Sequence, residues 1–185
     1  MKIFIRSLAV LALFAVTADL VYGVNPDSFE ISVTPNIVYS VLISTPEGGI
    51  AFTSNDLNTA YVNAGSATVT NNGNIVADWT MKATALNTWT LGTTLSDNGG
   101  DNKMVLAAQF NGALPLAGDY VDADVLTTSE KDASTVNFAG TQNGDDVAKT
   151  DSRLLWIYVK TPTNTTVEIA QKFRVEVKAY PASRF

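Results

Sequence analysis

Hydrophobic and polar residues alternate along much of this chain, and a period of two residues is typical of β-strands. The clearest case is residues 74–85, NIVADWTMKATA, where an apolar residue recurs at every second position. Mostly polar side chains occupy the positions in between. The pattern predicts a strand that turns one face toward a core. That inward face consists of Ile75, Ala77, Trp79, Met81 and Ala83.

A second alternating segment lies near the C-terminus. In KFRVEVKAY, residues 172–180, the predicted inward side chains are Phe173, Val175, Val177 and Ala179. Residues 154–160, LLWIYVK, are apolar on both faces, as expected of a strand in the middle of a sandwich. No segment has the helical period of about 3.6 residues. Further strands are predicted at residues 28–33, 37–44, 66–70, 88–95, 103–110 and 119–126.

The predicted strands are short, and turn-forming residues separate them. Asn72-Gly73 favours a type I′ hairpin turn, because both residues adopt positive φ at low cost. Residues 96–103 and 129–152 are polar and rich in Gly, Asp and Asn, so they are predicted to be long loops. We therefore expect an all-β fold: an antiparallel β-sandwich, immunoglobulin-like or jelly-roll-like, of about eight to ten strands.

The N-terminal sequence MKIFIRSLAVLALFAVTADLVYG has the form of a secretory signal peptide. Lys2 and Arg6 precede an apolar run at residues 8–16, which is too short to span a bilayer. We therefore expect residues 1–23 to be a signal peptide and residues 24–185 to be a single secreted domain. No other apolar run is long enough for a transmembrane helix, so no membrane span is expected in the mature chain.

The chain has 185 residues and a net charge of −6, and its basic residues are scattered singly. Nucleic acid and anionic membranes are therefore not expected as partners. The chain has no Cys and no His, which excludes disulfides, Ser-His-Asp triads and His-ligated metal. We expect no enzyme activity. A hydrolase that uses the carboxylates of Asp119, Asp122 and Asp124 is the least favoured alternative.

One acidic loop is a candidate calcium site. Asp97, Asn98, Asp101 and Asn102 lie close together in the chain and offer the oxygen ligands that calcium prefers. The alternative is that these residues bend and cap the loop, as Asp and Asn often do. Apart from this calcium ion, no cofactor is expected.

The three tryptophans allow either a core or a carbohydrate-binding platform. Trp79 lies on the apolar face of its predicted strand, Trp89 shares a face with Leu91, and Trp156 lies inside LLWIYVK. A platform needs exposed aromatic rings, whereas the alternation points these side chains inward. The pattern therefore favours a core role for all three.

Residues 67–79, ATVTNNGNIVADW, resemble a pattern of bacterial secreted immunoglobulin-like domains, in which a strand ending in TNxGN precedes a second alternating strand. The chain is similar in this respect to the camelysin/TasA group of biofilm-matrix fibre subunits. The resemblance implies extracellular assembly by β-strand complementation. It carries over no functional residue.

The predicted mature chain begins with a short alternating segment, VNPDSFEISVTPN. Phe29, Ile31 and Val33 share one face of it, which suits a strand added to a neighbour's sheet edge. We therefore expect a secreted structural subunit that assembles with copies of itself into a filament, sheath or surface layer. The alternative is a monomeric exported module that binds a glycan or a surface protein.

Overall fold

The computed structural model describes residues 30–47, 49–53 and 55–184. The predicted signal peptide and Phe29 lie outside these residues. The chain divides between Pro35 and Asn36 into two units. In the first unit, the described residues 30–35 form neither strand nor helix. The fold described below is that of the second unit.

Strands dominate this second unit. Helix is limited, in its described residues, to two three-residue 3₁₀ turns, Ala117–Asp119 and Asp122–Asp124. The unit has nine strands in its described residues, and this number agrees with the predicted eight to ten. They are β1 (Val41–Ser44), β2 (Ala60–Val62), β3 (Ala67–Asn71), β4 (Ala77–Ala85), β5 (Thr90–Leu91), β6 (Lys103–Phe110), β7 (Lys131–Asp132), β8 (Ser152–Lys160) and β9 (Phe173–Pro181).

The strands form two sheets that pack against each other, which confirms the predicted all-β fold. A curled six-stranded sheet has the order β1-β3-β8-β6-β5, with β2 paired to β8 beside β3. A three-stranded sheet has the order β7-β4-β9. The pairings between named strands are antiparallel except for the short parallel pair of β5 with β6.

Strand β8 is the centre of the larger sheet, because it pairs with β3 and β2 along one side and with β6 along the other. Its two faces are both covered, as its apolar sequence predicts. Leu155, Ile157 and Val159 point into the main core between the sheets. Tyr158 points the other way, and its ring lies 5.1 Å from that of Tyr120 in a second, smaller core.

Strand β4 provides the centre of the main core. Trp79 has no exposed surface, and its ring centroid lies 5.6 Å from that of Phe110. Trp156 is also buried, and its indole N–H donates a hydrogen bond to the carbonyl of Asn111 at 2.7 Å. Trp89 is half-buried and packs against the edge of the main core. A core role is thus confirmed for Trp79 and Trp156.

The predicted hairpin at Asn72-Gly73 is wrong, because β3 and β4 belong to different sheets. The buried side chain of Asn71 donates hydrogen bonds to the carbonyls of Ile75 and Val147, and so fixes the crossing between the sheets. Gly73 is needed here for close approach, since a Cβ atom would lie 2.5 Å from the carbonyl oxygen of Val38.

The strand predicted at residues 119–126 is also wrong. Its carboxylates bind nearby backbone instead of alternating across a sheet. Asp119 accepts a hydrogen bond from the amide of Leu116 at 2.7 Å, and Asp124 accepts one from Val121 at 3.0 Å. Each contact caps the start of a 3₁₀ turn, which a backbone hydrogen bond closes. These local bonds compete with strand pairing and favour turns.

The strand predicted at residues 88–95 is reduced to the two residues of β5. Asp97 turns the chain soon after Gly92, because its carboxylate accepts hydrogen bonds from both the amide and the hydroxyl of Thr93. The side chain of Asp97, which lies outside the predicted strand, thus ends that strand early.

Glu130 joins β4 to β9 on the outer face of the smaller sheet. Its carboxylate accepts hydrogen bonds from the Thr80 hydroxyl at 2.8 Å and from the Lys178 ammonium at 3.1 Å. Arg184 lies 3.8 Å away. Hydrogen bonds from Tyr180 and Thr80, followed by the contact with Lys178, lower the pKa of Glu130 to about 2.

We expect Trp79→Ala to lower the free energy of unfolding by about 3–5 kcal/mol, because it leaves a large cavity in a fully buried site. Trp79→Phe should cost clearly less. It keeps an aromatic ring beside Phe110, and the buried indole N–H has no partner among the described residues to lose. Urea denaturation measures both variants, and a Trp79→Ala protein of wild-type stability would contradict the core role.

We expect Glu130→Gln to lower the free energy of unfolding by about 1–2 kcal/mol at pH 7, because three donors lose a charged acceptor. The stabilisation by ionised Glu130 is complete above pH 4.5 and is lost as the pH falls toward about 2. The variant should therefore have a flatter acid-denaturation profile in this range. Glu47→Gln, at an exposed loop position, is the control and should reproduce the wild-type profile.

Candidate functional site

The main candidate site is a groove between the edge strands β1 and β9. Each is the last strand of its sheet, and among the described residues neither has a hydrogen-bonded neighbour on its second side. Residues of both strands line the same two cavities, so their unpaired sides border one groove. We call it the edge groove.

The edge groove has a narrow end and a wide end. The narrow end has a volume of about 350 Å³ and lies between residues 39–41 and residues 177–180. The wide end has a volume of about 1020 Å³ and extends from Ile43 and Thr45 to Phe173 and Val175. The groove thus follows β9 from one end to the other.

The wide end is apolar because it exposes the inner faces of both sheets. Trp89 and Phe52 are among the aromatic residues that line it. Its floor is part of the main core, and the residues that reach it from the larger sheet are Ala67, Met104, Leu106, Leu155, Ile157 and Val159.

The groove is open because three strands cannot cover a sheet that is five strands wide. Because β2 and β3 lie along the same side of β8, the larger sheet is five strands wide, and at about 4.8 Å per strand the smaller sheet is narrower by roughly 10 Å. On the β7 side, the loop of residues 133–147 fills the gap with Ala133, Phe138 and Val147, which have no exposed surface. On the β9 side, no strand of the described chain fills it.

The outer face of β9 carries alternating charges beside the groove. Glu176 pairs with Lys82 at 3.0 Å, and Lys178 pairs with Glu130 at 3.1 Å. The Arg174 side chain is 63% exposed, and the carboxylate of Glu176 lies 4.0 Å from it. Arg174 is therefore the most weakly paired cation of this strand.

Of the three predicted assembly residues, Ile31 and Val33 lie in the described part of the chain. Their side chains are 75% and 80% exposed, and neither belongs to a strand. Phe29 lies outside the described residues. Donation of this segment to another copy stays a prediction, because it concerns an assembled state.

The predicted calcium-binding residues take part in hydrogen bonds that hold their loop. Asp97 accepts bonds from Thr93 and from Lys103, and these contacts, with the Thr93 amide first, lower the pKa of its carboxyl group. The buried amide of Asn98 donates to Asn58 and to the carbonyl of Thr161. The first half of the loop is thus fastened to its surroundings.

The second half of the loop contacts the segment after β8. Asp101 accepts a hydrogen bond from Asn164 at 2.6 Å, and Asn102 accepts bonds from Thr165 and from the amide of Thr166. These contacts give the loop a structural role without a metal ion. A calcium site at Asp97, Asn98, Asp101 and Asn102 stays a prediction.

A different acidic cluster emerges from the fold. Carboxylate oxygens of Asp78, Asp145 and Asp146 lie within 4.8 Å of one another, so the cluster has the oxygen chemistry for a cation. Asp78 is fully buried and accepts hydrogen bonds from the amides of Asp146 and Arg184. Burial, followed by the charges of Asp78 and Asp146, raises the pKa of Asp145.

Neither this cluster nor the edge groove was predictable from the sequence. Asp78 is one of several polar residues on an alternating strand, and the other two aspartates lie in a loop that is distant in sequence. Only the packing of residues 144–147 against β4 brings them together. The groove likewise depends on which strands lie at the sheet edges.

No protein-family model and no curated protein matches this chain. In the part of the chain that the structure describes, no helix has the length and apolar character needed to cross a membrane. The edge groove and the exposed segment that carries Ile31 and Val33 are the features of this chain that bear on its function.

We expect Asp145→Asn to raise the free energy of unfolding at pH 7 in metal-free buffer. The amide removes a charge beside Asp78 and Asp146 and can still donate to Asp78. Because the pKa of Asp145 is raised in the folded state, its contribution to stability falls as the pH rises from 3.8 through the raised value. The Asp145→Asn variant should not show this loss of stability with rising pH.

Thermal denaturation from pH 3 to pH 7 tests this expectation. Asp56→Asn, at an exposed loop position, is the control and should leave the profile unchanged. A less stable Asp145→Asn protein in metal-free buffer would contradict charge repulsion as the cause.

Proposed function

We propose that this protein is a secreted structural subunit that assembles with copies of itself into an extracellular filament, sheath or surface layer. Residues 27–34 of one copy occupy the edge groove of the next copy as an added strand. The observation that supports this most is the apolar groove between two unpaired strand edges, in a chain that also carries an exposed apolar segment.

The dimensions of the segment and the groove agree. Eight extended residues span about 26 Å, and the nine residues of β9 span about 30 Å. The alternation of the segment places Phe29, Ile31 and Val33 on the face that would turn into the groove. Burying each of these side chains contributes about 1.5–3 kcal/mol, and the backbone of the segment would bond to the open edge.

Donation of this kind leads to polymers. The donor segment and the acceptor groove are different surfaces, so each copy binds one neighbour as donor and another as acceptor. Such a head-to-tail contact extends indefinitely unless its geometry closes a ring. The chain lacks Cys, so assembly would take the stabilising role that disulfides have in many exported proteins.

The wide end of the groove also supports the second candidate, a monomeric exported binding module. Its volume of about 1020 Å³ and its apolar lining suit a small apolar ligand or an apolar side chain of a surface protein. Trp89, which lines it, is half-buried, and its indole N–H donates to Thr165 at 3.1 Å. In this case the N-terminal segment would have no part in assembly.

Deleting residues 24–34 from the mature chain separates these candidates. We expect the shortened protein to be monomeric and less stable, because its groove stays empty and it has no segment to donate. A synthetic peptide of residues 24–34 should restore stability, by about 2.7 kcal/mol at a hundred times its dissociation constant. Light scattering and negative-stain microscopy measure assembly, and thermal denaturation measures stability.

A matched pair of point variants controls for the deletion. Ile31→Asp places a charge on the face that enters the groove and should abolish assembly. Ser32→Asp places the same charge on the opposite face, one residue away, and should not. A mature wild-type chain that remains monomeric at high concentration would overturn the assembly proposal and favour the binding module.

A further inference from the structure

We infer that the donated strand runs parallel to β9 of the accepting copy, with Glu30 of the donor opposite Arg174 of the acceptor. This inference rests on the proposed function and specifies the register of the same contact. It follows from the alternation of both segments, from the charges on the outer face of β9 and from the shape of the edge groove.

Strand β9 offers the better of the two open edges. It has nine residues, whereas β1 has four, so only β9 matches the length of the donor segment. The outward residues of β9 include charged side chains, whereas those of β1 are Leu42 and Ser44. A donor with a charged outward residue thus finds a charged counterpart only on β9.

Alternation limits the register to four choices. Residues opposite each other on neighbouring strands point to the same face of a sheet. The inward residues of β9 have odd numbers, from Phe173 to Ala179, and those of the donor are also odd. Glu30 must therefore lie opposite Arg174, Glu176, Lys178 or Tyr180, and Tyr180 offers no charge.

Charge selects Arg174. Opposite Glu176, the donor would place two carboxylates side by side, which is destabilising. Opposite Lys178, it would compete with Glu130, which already accepts a hydrogen bond from that ammonium at 3.1 Å. The Arg174 side chain is 63% exposed, and its salt-bridge partner, the carboxylate of Glu176, lies 4.0 Å away. Of the two cations, Arg174 would therefore be stabilised more by a new carboxylate partner.

The overlap of the strands then fixes the direction. In a parallel arrangement with Glu30 opposite Arg174, Phe29 lies opposite Phe173 and Val33 lies opposite Val177, so all three apolar side chains stay within β9. In an antiparallel arrangement with the same pair, Val33 would lie opposite Gln171, which precedes β9.

The shape of the groove favours the same direction. The parallel register places Phe29, the largest of the three side chains, beside Phe173 at the wide end of about 1020 Å³. It places Val33 toward the narrow end of about 350 Å³. An antiparallel strand with Glu30 opposite Lys178 would reverse this order and bring Phe29 to Ala179 at the narrow end.

A charge exchange tests the register in the mature chain. We expect Glu30→Arg to raise the concentration needed for half-maximal assembly by about fivefold, as cross-strand charge pairs of this kind predict. Arg174→Glu alone should have a similar effect. The double variant Glu30→Arg/Arg174→Glu should assemble nearly as well as the wild type, whereas Glu30→Arg/Lys178→Glu should not.

Crosslinking tests the direction, because the chain has no Cys of its own. Neighbouring strands bring opposite Cα atoms within disulfide range. Under oxidation, Ser28→Cys combined with Lys172→Cys should give covalent polymers if the strands are parallel. Ser28→Cys combined with Tyr180→Cys should do so only if they are antiparallel with Glu30 opposite Lys178.

The outcomes separate the inference from the proposed function. Rescue by Arg174→Glu together with the first crosslink supports the register. Rescue by Lys178→Glu, the second crosslink, or normal assembly of Glu30→Arg overturns the register and leaves strand donation intact. A wild-type chain that does not assemble at all overturns both.

Discussion

The difference in width between the two sheets is the constraint on which the rest of the structure depends. A six-stranded sheet presents more apolar surface than three strands can cover. On one side of β4, this excess is covered by a loop that contributes Phe138 and Val147 to the core. On the other side, β9 ends the smaller sheet and the apolar surface reaches the solvent through the edge groove. The same mismatch thus determines which loop is structural and which edge is open.

The second constraint is how the chain moves between the sheets. Buried Asn71 fastens the crossing from β3 to β4 by binding two carbonyls, and Gly73 lets the chain pass close to the backbone at Val38. On the outer face, Glu130 holds β4 and β9 together. Polar contacts therefore fasten the smaller sheet at the crossing and on its outer face, while its apolar residues pack in the main core. This is consistent with a sheet that remains ordered although one of its edges is open.

The alternation of apolar residues was sufficient to predict the all-β fold, the inward faces of β4 and β9, and the central place of β8. These elements were predictable because their burial repeats with the period of a strand. The turns of residues 117–124 were not, because Asp119 and Asp124 each bind a backbone amide three residues earlier, and these local bonds override the alternating pattern. The loop of residues 133–147 has a mostly polar sequence, yet its Phe138 is buried in the core. The edge groove and the cluster around Asp78 depend on contacts between distant segments, which no local pattern contains.

The long pairing of β4 with β9 has a mechanical consequence. Its register is unbroken from Ala77 opposite Pro181 to Ala85 opposite Phe173. In a filament built by strand donation, tension along the donated strand would pull β9 along its own axis. The hydrogen bonds of the ladder would then share the load in shear instead of breaking one after another. With a strand added at this edge, the resistance of each subunit to stretching would depend on the full length of β9.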